Sequence, residues 1–154
     1  ALLRQASLPE EGAPALWLRI AQAAIFQREG RLAEADRALA EVQALYAKRQ
    51  AKTGVVAEVG IVRSEIALAL GQHDAARSRA EQALDVARNG QGDLPQSFLT
   101  GRAWLALARS QRALDAAAPA RHACQQAIDQ LQPTLGAGHP ITQQAQQLAL
   151  ELGA

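Results

Sequence analysis

Three arginines, Arg102, Arg109 and Arg112, have the spacing that most clearly indicates a binding chemistry. Separations of seven and three positions bring all three side chains to one face of a helix. Guanidinium groups gathered on one face could hold a carboxylate or an acidic segment through paired hydrogen bonds. Arginine is also a routine residue of solvated helices, so an ordinary surface stripe is the alternative interpretation.

The residues that most often catalyse reactions are spread along the chain. His73 and His122 lie at or near predicted helix starts, and His139 lies in a Gly-Pro turn. His122 and Cys124 point about 200° apart on a helix, which predicts a surface histidine beside a buried, slow-reacting core cysteine. No His-Glu-x-x-His pair, Gly-x-Ser-x-Gly elbow or phosphate-binding glycine loop occurs in the sequence. We therefore predict no catalytic residue, no metal site and no cofactor.

Composition and charge narrow the class of protein. Apolar residues make up 49% of the 154 residues but aromatic residues only 3%, and the abundant alanine, leucine, glutamine and arginine favour helices. The 16 basic and 15 acidic residues leave a net charge of +1, which gives no general attraction for nucleic acid or an anionic membrane. The single cysteine excludes an internal disulfide framework. We expect a cytoplasmic interaction domain with neither nucleic acid nor a membrane as its partner.

Apolar residues recur at spacings of three and four in seven segments, which predicts seven helices. These segments cover about residues 15–29, 32–50, 53–70, 74–88, 97–114, 119–131 and 140–152. Thr53 is a candidate N-cap, and the glutamines of the last segment give it a polar face suited to the end of a stack of helices. Because the sequence has no methionine, we expect a segment of a longer protein, with an earlier repeat ending in residues 1–7.

One pattern, a turn residue followed by small and apolar residues at helical spacing, occurs three times. The copies are Gly30, Ala35, Leu39 and Val42; then Gly71, Ala76, Ala80 and Ala83; then Asp115, Ala120, Cys124 and Ala127. The second copy follows the first by 41 positions, and the third follows the second by 44. Self-similarity at such a period indicates a solenoid, in which each unit buries its apolar face by stacking on its neighbours.

These copies resemble the tetratricopeptide repeat, whose pattern combines Trp, Leu, small residues, an aromatic residue and Gly at set spacings. The matching residues are Trp104, Leu107, Ala108, Ala120, Cys124 and Ala127 in the third copy, and Ala23, Phe26, Gly30, Ala35, Leu39 and Val42 in the first. Arg19 departs from the pattern where the family has Trp, and Arg63 where it has Leu. The long period and the Leu-Gly-x-x-His-Pro-x-Thr segment at 135–142 resemble the kinesin-light-chain-like branch of the family.

The resemblance implies an all-α fold: a right-handed α-solenoid of antiparallel helix hairpins with a C-terminal capping helix, forming one domain over residues 1–154. Repeats are expected at about 15–50, 53–89 and 96–131, with the capping helix at about 140–152. Trp104 and Leu107 are expected between the helices of the third hairpin. Ala35 and Ala76 are expected to be buried where helices approach closely, and Gly60 offers a further place for such contact.

In this family the first helix of each hairpin lines a concave groove that holds a peptide. The resemblance therefore implies a set of partner-binding residues: Trp17, Glu58, Glu65, Arg102, Arg109 and Arg112. In the first two repeats the family's landmarks fit the first helix in two registers one residue apart, and such a slide turns every side chain by about 100°.

The preferred interpretation is a non-catalytic protein–protein interaction module, a scaffold whose partner is a protein or peptide that is acidic or carries a free carboxylate. An alternative keeps the fold and makes the chain the regulatory or sensor arm of a larger bacterial signalling protein, a kinase or transcription regulator, that docks on its own chain. A third hypothesis, a small helical hydrolase or metal protein, requires His122, His139 and carboxylates to meet in one pocket.

Overall fold

The computed structural model describes residues 12–49 and 54–153, and every regular element in them is a helix. The seven helices are α1 Ala13–Arg28, α2 Leu32–Lys48, α3 Gly54–Ala69, α4 His73–Gln91, α5 Phe98–Ala113, α6 Ala117–Leu135 and α7 Pro140–Glu151. The expectations for residues 1–7 and for Thr53 lie outside the described residues. Two compact units divide the chain, Ala1–Ala51 with α1 and α2, and Lys52–Ala154 with α3 to α7.

The first unit is a helix hairpin. α1 packs on α2, and the short turn between them makes the pair antiparallel. Its buried apolar residues are Leu16, Ala23, Ala35, Leu39 and Val42. They are seven positions apart on α1, and four and three positions apart on α2, spacings that align side chains along one stripe.

The second unit is a stack of two hairpins and a final helix. α3 packs on α4 and α5 packs on α6, while α4 also packs on α5 and α6 on α7. The first helices of successive hairpins, α3 and α5, also contact each other, and α5 contacts α7. One continuous core of buried side chains extends from Ala57 to Ala149. Each hairpin of this unit therefore buries its apolar surface on its neighbour, as the repeat pattern predicts.

The three hairpin turns share one backbone geometry. Gly30 and Gly71 each have φ +74°, and Asp115 has φ +58°, the left-handed region that glycine enters most easily. In each turn the following N–H donates to the carbonyl five positions back: Arg31 to Phe26 at 2.8 Å, Gln72 to Ala67 at 2.8 Å, and Ala116 to Gln111 at 2.9 Å. Asp115 therefore does replace the glycine of the other two copies.

Small residues set the distance between paired helices. Ala35, Ala76 and Ala120, at equivalent positions of the three copies, are fully buried, which confirms the prediction for Ala35 and Ala76. A Cβ on Gly60 would lie 3.0 Å from the Cβ of Ala83, so this glycine also marks a close helix contact.

Gly101 marks a second close contact, which sequence reasoning did not identify. A Cβ there would lie 2.6 Å from Leu131 Cγ, so the Leu131 side chain or the helices would have to shift to admit it.

One feature of the third hairpin differs from expectation. Leu107 is buried, and Trp104 packs against the core with its ring edge-on to His122 of α6 at 5.9 Å between centroids, so both side chains lie between α5 and α6 as predicted. α6, however, continues through Pro133 to Leu135 instead of ending near Leu131. Leu131 and Leu135 both pack on the core and hold this last turn in place, where proline removes a single hydrogen bond.

Changing the turn residues should move stability in opposite directions. Gly71→Ala should lower the free energy of unfolding by about 1 kcal/mol, because alanine is strained at this φ. Asp115→Gly should raise it by up to about 1 kcal/mol, because the strain at Asp115 is relieved. Urea unfolding measures both. Ala118→Gly, on the exposed first turn of α6, is the control and should cost up to about 1 kcal/mol, the value for a helix interior. A loss in Asp115→Gly equal to that of the control would contradict the shared turn geometry.

Candidate functional site

The second unit contains an open groove of about 950 Å³. Its walls come from α3, α5 and α7, the helices that lie side by side on one surface of the stack. The lining residues from α3 and α5 are Glu65, Leu68, Ala69, Arg109, Arg112 and Ala113, and those from α7 are Pro140, Gln143, Gln144, Gln147, Leu148 and Glu151. A concave surface that combines apolar side chains with a few convergent polar groups is the usual form of a binding site.

Arg109 lies at the centre of this groove and connects three helices. Its Nη2 donates to Gln144 Oε1 of α7 at 2.6 Å, and its Nη1 lies 3.6 Å from Glu65 Oε1 of α3. The side chain keeps 29% of its surface exposed. A guanidinium group carries five N–H donors, so Arg109 can still donate to a ligand while it holds both neighbours.

Arg102 and Glu58 form a second pair on the same two helices, two turns earlier. Arg102 Nη1 donates to Glu58 Oε1 at 2.7 Å. Like Glu65 and Arg109, these residues are 44 positions apart, the offset between the second and third copies of the repeat. Each pair therefore joins the same position of two successive repeats, which is possible because α3 and α5 run side by side in register.

Arg112 pairs with Glu151 of α7 at the far side of the groove. About half of each side chain is exposed. The three predicted arginines thus do lie along one face of α5, but each has a carboxylate of the same chain as its neighbour. Three glutamates balance the three arginines along this surface, so it is a row of ion pairs and not a patch of uncompensated positive charge.

Burial raises the pKa of Glu65 above its ordinary value, and the nearby Arg109 and Arg102 oppose this effect only in part. The carboxylate keeps 41% of its surface exposed, but the groove walls around it displace much of the surrounding water. The raised pKa means that its ionised form is less favourable in the folded protein than in the unfolded chain.

Trp17 belongs to the first unit, on α1. It occupies the repeat position of Glu58 and Arg102, and 61% of its surface is exposed. Leu18 and Ile25 of the same helix are also exposed, so α1 carries an apolar surface facing away from α2. A smaller groove of about 220 Å³ lies between α1 and α2, with Arg19 and Glu41 paired along it.

The residues of the third hypothesis are engaged elsewhere. His122 contacts Trp104, and His139 caps α7 by accepting the backbone N–H of Ile141 on Nδ1 at 3.2 Å. Cys124 is fully buried, and burial raises the pKa of its thiol. Among the described residues, no three His, Cys, Asp or Glu side chains are grouped to hold a metal ion. No helix in residues 12–49 and 54–153 is long and apolar enough to cross a membrane.

Sequence analysis does not predict the contribution of α7 to the groove, because it treats this helix only as a cap. Gln144 and Glu151, the partners of Arg109 and Arg112, are the missed residues with direct contacts to the predicted site. They lie 35 and 39 positions after these arginines, whereas the repeats are 41 and 44 positions apart, so the repeat pattern alone does not pair them.

The helices and their turns define an all-α repeat protein of antiparallel hairpins. The structure resembles a solved one described as the nearly identical TPR-like repeats of a Podospora anserina kinesin light chain, with a TM-score of 0.75 and 20% sequence identity. The match covers 98% of this chain and 71% of the other. The resemblance to long tetratricopeptide repeats is thereby confirmed at the level of the fold. No protein-family model and no curated protein sequence matches the chain.

The raised pKa of Glu65 predicts how stability depends on pH. The folded state binds this proton more strongly than the unfolded state, so Glu65 favours folding more as the pH falls through its folded pKa. Relative to Glu65→Gln, the wild type should therefore become more stable between pH 7 and pH 4. The change should stay below about 1 kcal/mol, because water screens a carboxylate that is partly exposed. Urea unfolding of both proteins at each pH measures it.

Glu81→Gln controls for the loss of one charge, because Glu81 lies on α4, away from the groove, and pairs only loosely with Arg77. A wild type that loses stability relative to Glu65→Gln on acidification would contradict the prediction.

Cys124 should react slowly with thiol reagents in the folded protein. Burial hides the sulfur and disfavours the reactive thiolate. The rate of labelling at pH 8 should rise at least about a hundredfold in 8 M urea, since unfolding of a stable domain is needed for access. Equal rates with and without urea would show that the third hairpin opens readily.

Proposed function

We propose that the second unit is a non-catalytic protein-interaction module, which binds a segment of a protein in the groove lined by α3, α5 and α7. The observation that carries the proposal is the groove itself: an open channel with apolar walls, a central arginine and three glutamines. The structural similarity to a kinesin light chain repeat structure supports the fold but does not identify a ligand. A ligand must be inferred from the site, because one fold can carry many functions.

The side chains in the groove suit a peptide. Leu68, Ala69 and Leu148 offer apolar contacts, while the amides of Gln143 and Gln147 can both donate to and accept from a peptide backbone. Arg109 and Arg112 add the donors that a carboxylate accepts most strongly. A segment with acidic side chains or a free C-terminal carboxylate is therefore the partner chemistry that we propose.

The alternative role, a regulatory arm that docks on its own polypeptide, uses the same groove. It differs in the source of the bound segment and not in its chemistry. A segment on the same polypeptide has a high effective concentration, so it would compete with peptides added in solution. Weaker peptide binding by a longer form of the protein than by the 154-residue chain would favour this role.

The test begins with peptides selected from a displayed random library on the immobilised chain. Binding of the selected peptides is then measured by calorimetry for the wild type, Arg109→Glu and Arg109→Gln. Each variant should weaken binding by about tenfold or more, because it removes a charged donor from the centre of the groove. Raising the salt from about 0.05 to 0.5 M should also weaken wild-type binding, because the exposed charges are screened.

Two variants at Arg109 are needed because of its neighbours. Arg109→Glu places a second carboxylate beside Glu65 and should also lower stability, whereas Arg109→Gln can keep an amide hydrogen bond to Gln144. Arg77→Glu, on the outer helix α4, is the control for charge reversal and should leave the affinity within about twofold. Unchanged affinity in folded Arg109→Gln would reject the groove as the binding site.

A further inference from the structure

We propose that Glu65 and Glu151 are built-in competitors for the groove arginines, and that they restrict the groove to segments with at least two neighbouring carboxylates. This inference rests on the proposed function and names the residues that set its specificity. It follows from the way in which the two arginines of the groove are already occupied.

Both groove arginines face carboxylates from opposite walls. Glu65 of α3 approaches Arg109 at 3.6 Å, and Glu151 of α7 pairs with Arg112. The two glutamates themselves line the groove. An anionic ligand that reaches either arginine therefore meets a carboxylate already beside it, and must either share the guanidinium group or displace that carboxylate.

Displacement is feasible because neither pair is deeply buried. The exposed surface is 29% for Arg109 and 41% for Glu65, and about half for Arg112 and Glu151. Ion pairs with this degree of exposure are weak, since water solvates the separated charges almost as well. Glu65 is the weaker competitor in addition, because burial already disfavours its ionised form.

Exchange of one carboxylate for another gives little net affinity. A ligand with a single carboxylate replaces one ion pair by a similar one, so it gains almost nothing over water. A ligand with two neighbouring carboxylates can engage Arg109 and Arg112 together, because these residues are one helical turn apart on α5. Its second contact is intramolecular, so it needs no further loss of translational freedom. The glutamates thus reject isolated carboxylates and admit clustered ones.

The experiment uses two fluorescein-labelled probes: hexaglutamate, and a Gly-Ser peptide of equal length with one internal glutamate and an amidated C-terminus. Fluorescence anisotropy at about 0.05 M salt gives the dissociation constant of each for the full 154-residue chain. The competitors are removed in Glu65→Gln/Glu151→Gln. The matched control is Glu81→Gln/Asp85→Asn, which makes the same change in net charge at exposed acidic residues of α4, outside the groove lining.

We expect hexaglutamate to bind Glu65→Gln/Glu151→Gln about tenfold or more tightly than the wild type, and the control less than about threefold more tightly, because general attraction between exposed charges is weak. The affinity of the single-glutamate probe should increase by a larger factor than that of hexaglutamate, because Glu65 and Glu151 exclude single carboxylates most strongly. Adding Arg109→Gln/Arg112→Gln should abolish both gains. Glu151→Gln alone changes an exposed pair and should show part of the effect even if the double variant folds poorly.

Equal gains in the double variant and its control would mean that net charge alone acts, and would overturn the proposal. Absence of hexaglutamate binding in every form would overturn it as well. These outcomes can be distinguished from failure of the proposed function. If the selected peptides bind equally well to Arg109→Gln, the groove is not their binding site. Removal of the two glutamates could still create affinity for hexaglutamate in that case.

Discussion

Close approach between the two helices of each hairpin is the constraint on which the rest of the structure depends. Ala35, Ala76 and Ala120 have no exposed surface, and a methyl group on Gly60 or Gly101 would press on side chains of the facing helix. Small side chains bury little apolar area each, so stability must come from many close contacts along the helices. This explains a chain that is 49% apolar yet only 3% aromatic. It also explains why the hairpins of the second unit stack, since no single hairpin can build a thick core.

The turns and the stacking together position the groove. A left-handed residue at 30, 71 and 115 ends each first helix in the same way, so each second helix returns along the same side. In the second unit this leaves α3, α5 and α7 as a row of first helices. Residues at equivalent repeat positions then lie opposite each other, and the pairs of Glu58 with Arg102 and of Glu65 with Arg109 are the direct result. The groove chemistry is thus a consequence of repeat geometry.

Sequence alone predicted the fold well because the fold is periodic. The turn residue and the small residue five positions later recur three times. The first is restricted by its left-handed φ, and the second by the closeness of the paired helix. Local sequence indicates a helix end before Pro133, but α6 continues to Leu135 because Leu131 and Leu135 pack on the core, which is a tertiary effect.

The candidate site was harder to predict for a physical reason. Helical spacing brought Arg102, Arg109 and Arg112 to one face, but an arginine's effect depends on its neighbours from other helices. Those neighbours, Glu65, Gln144 and Glu151, belong to helices that are adjacent only after the hairpins stack.

In the binding role that we propose, the paired charges also determine which ligands the groove selects. An uncompensated arginine cluster would attract any anion over a distance set by the salt concentration, and would discriminate poorly between different anions. A row of balanced ion pairs has little long-range attraction, so affinity must arise from contact, as the difference between new ion pairs and those they replace. Such a difference is large only for a ligand that matches several groove groups at once. A groove with balanced charges therefore binds any single anion weakly but discriminates better between ligands. A ligand that cannot replace the existing ion pairs leaves them intact and gains no affinity from the arginines.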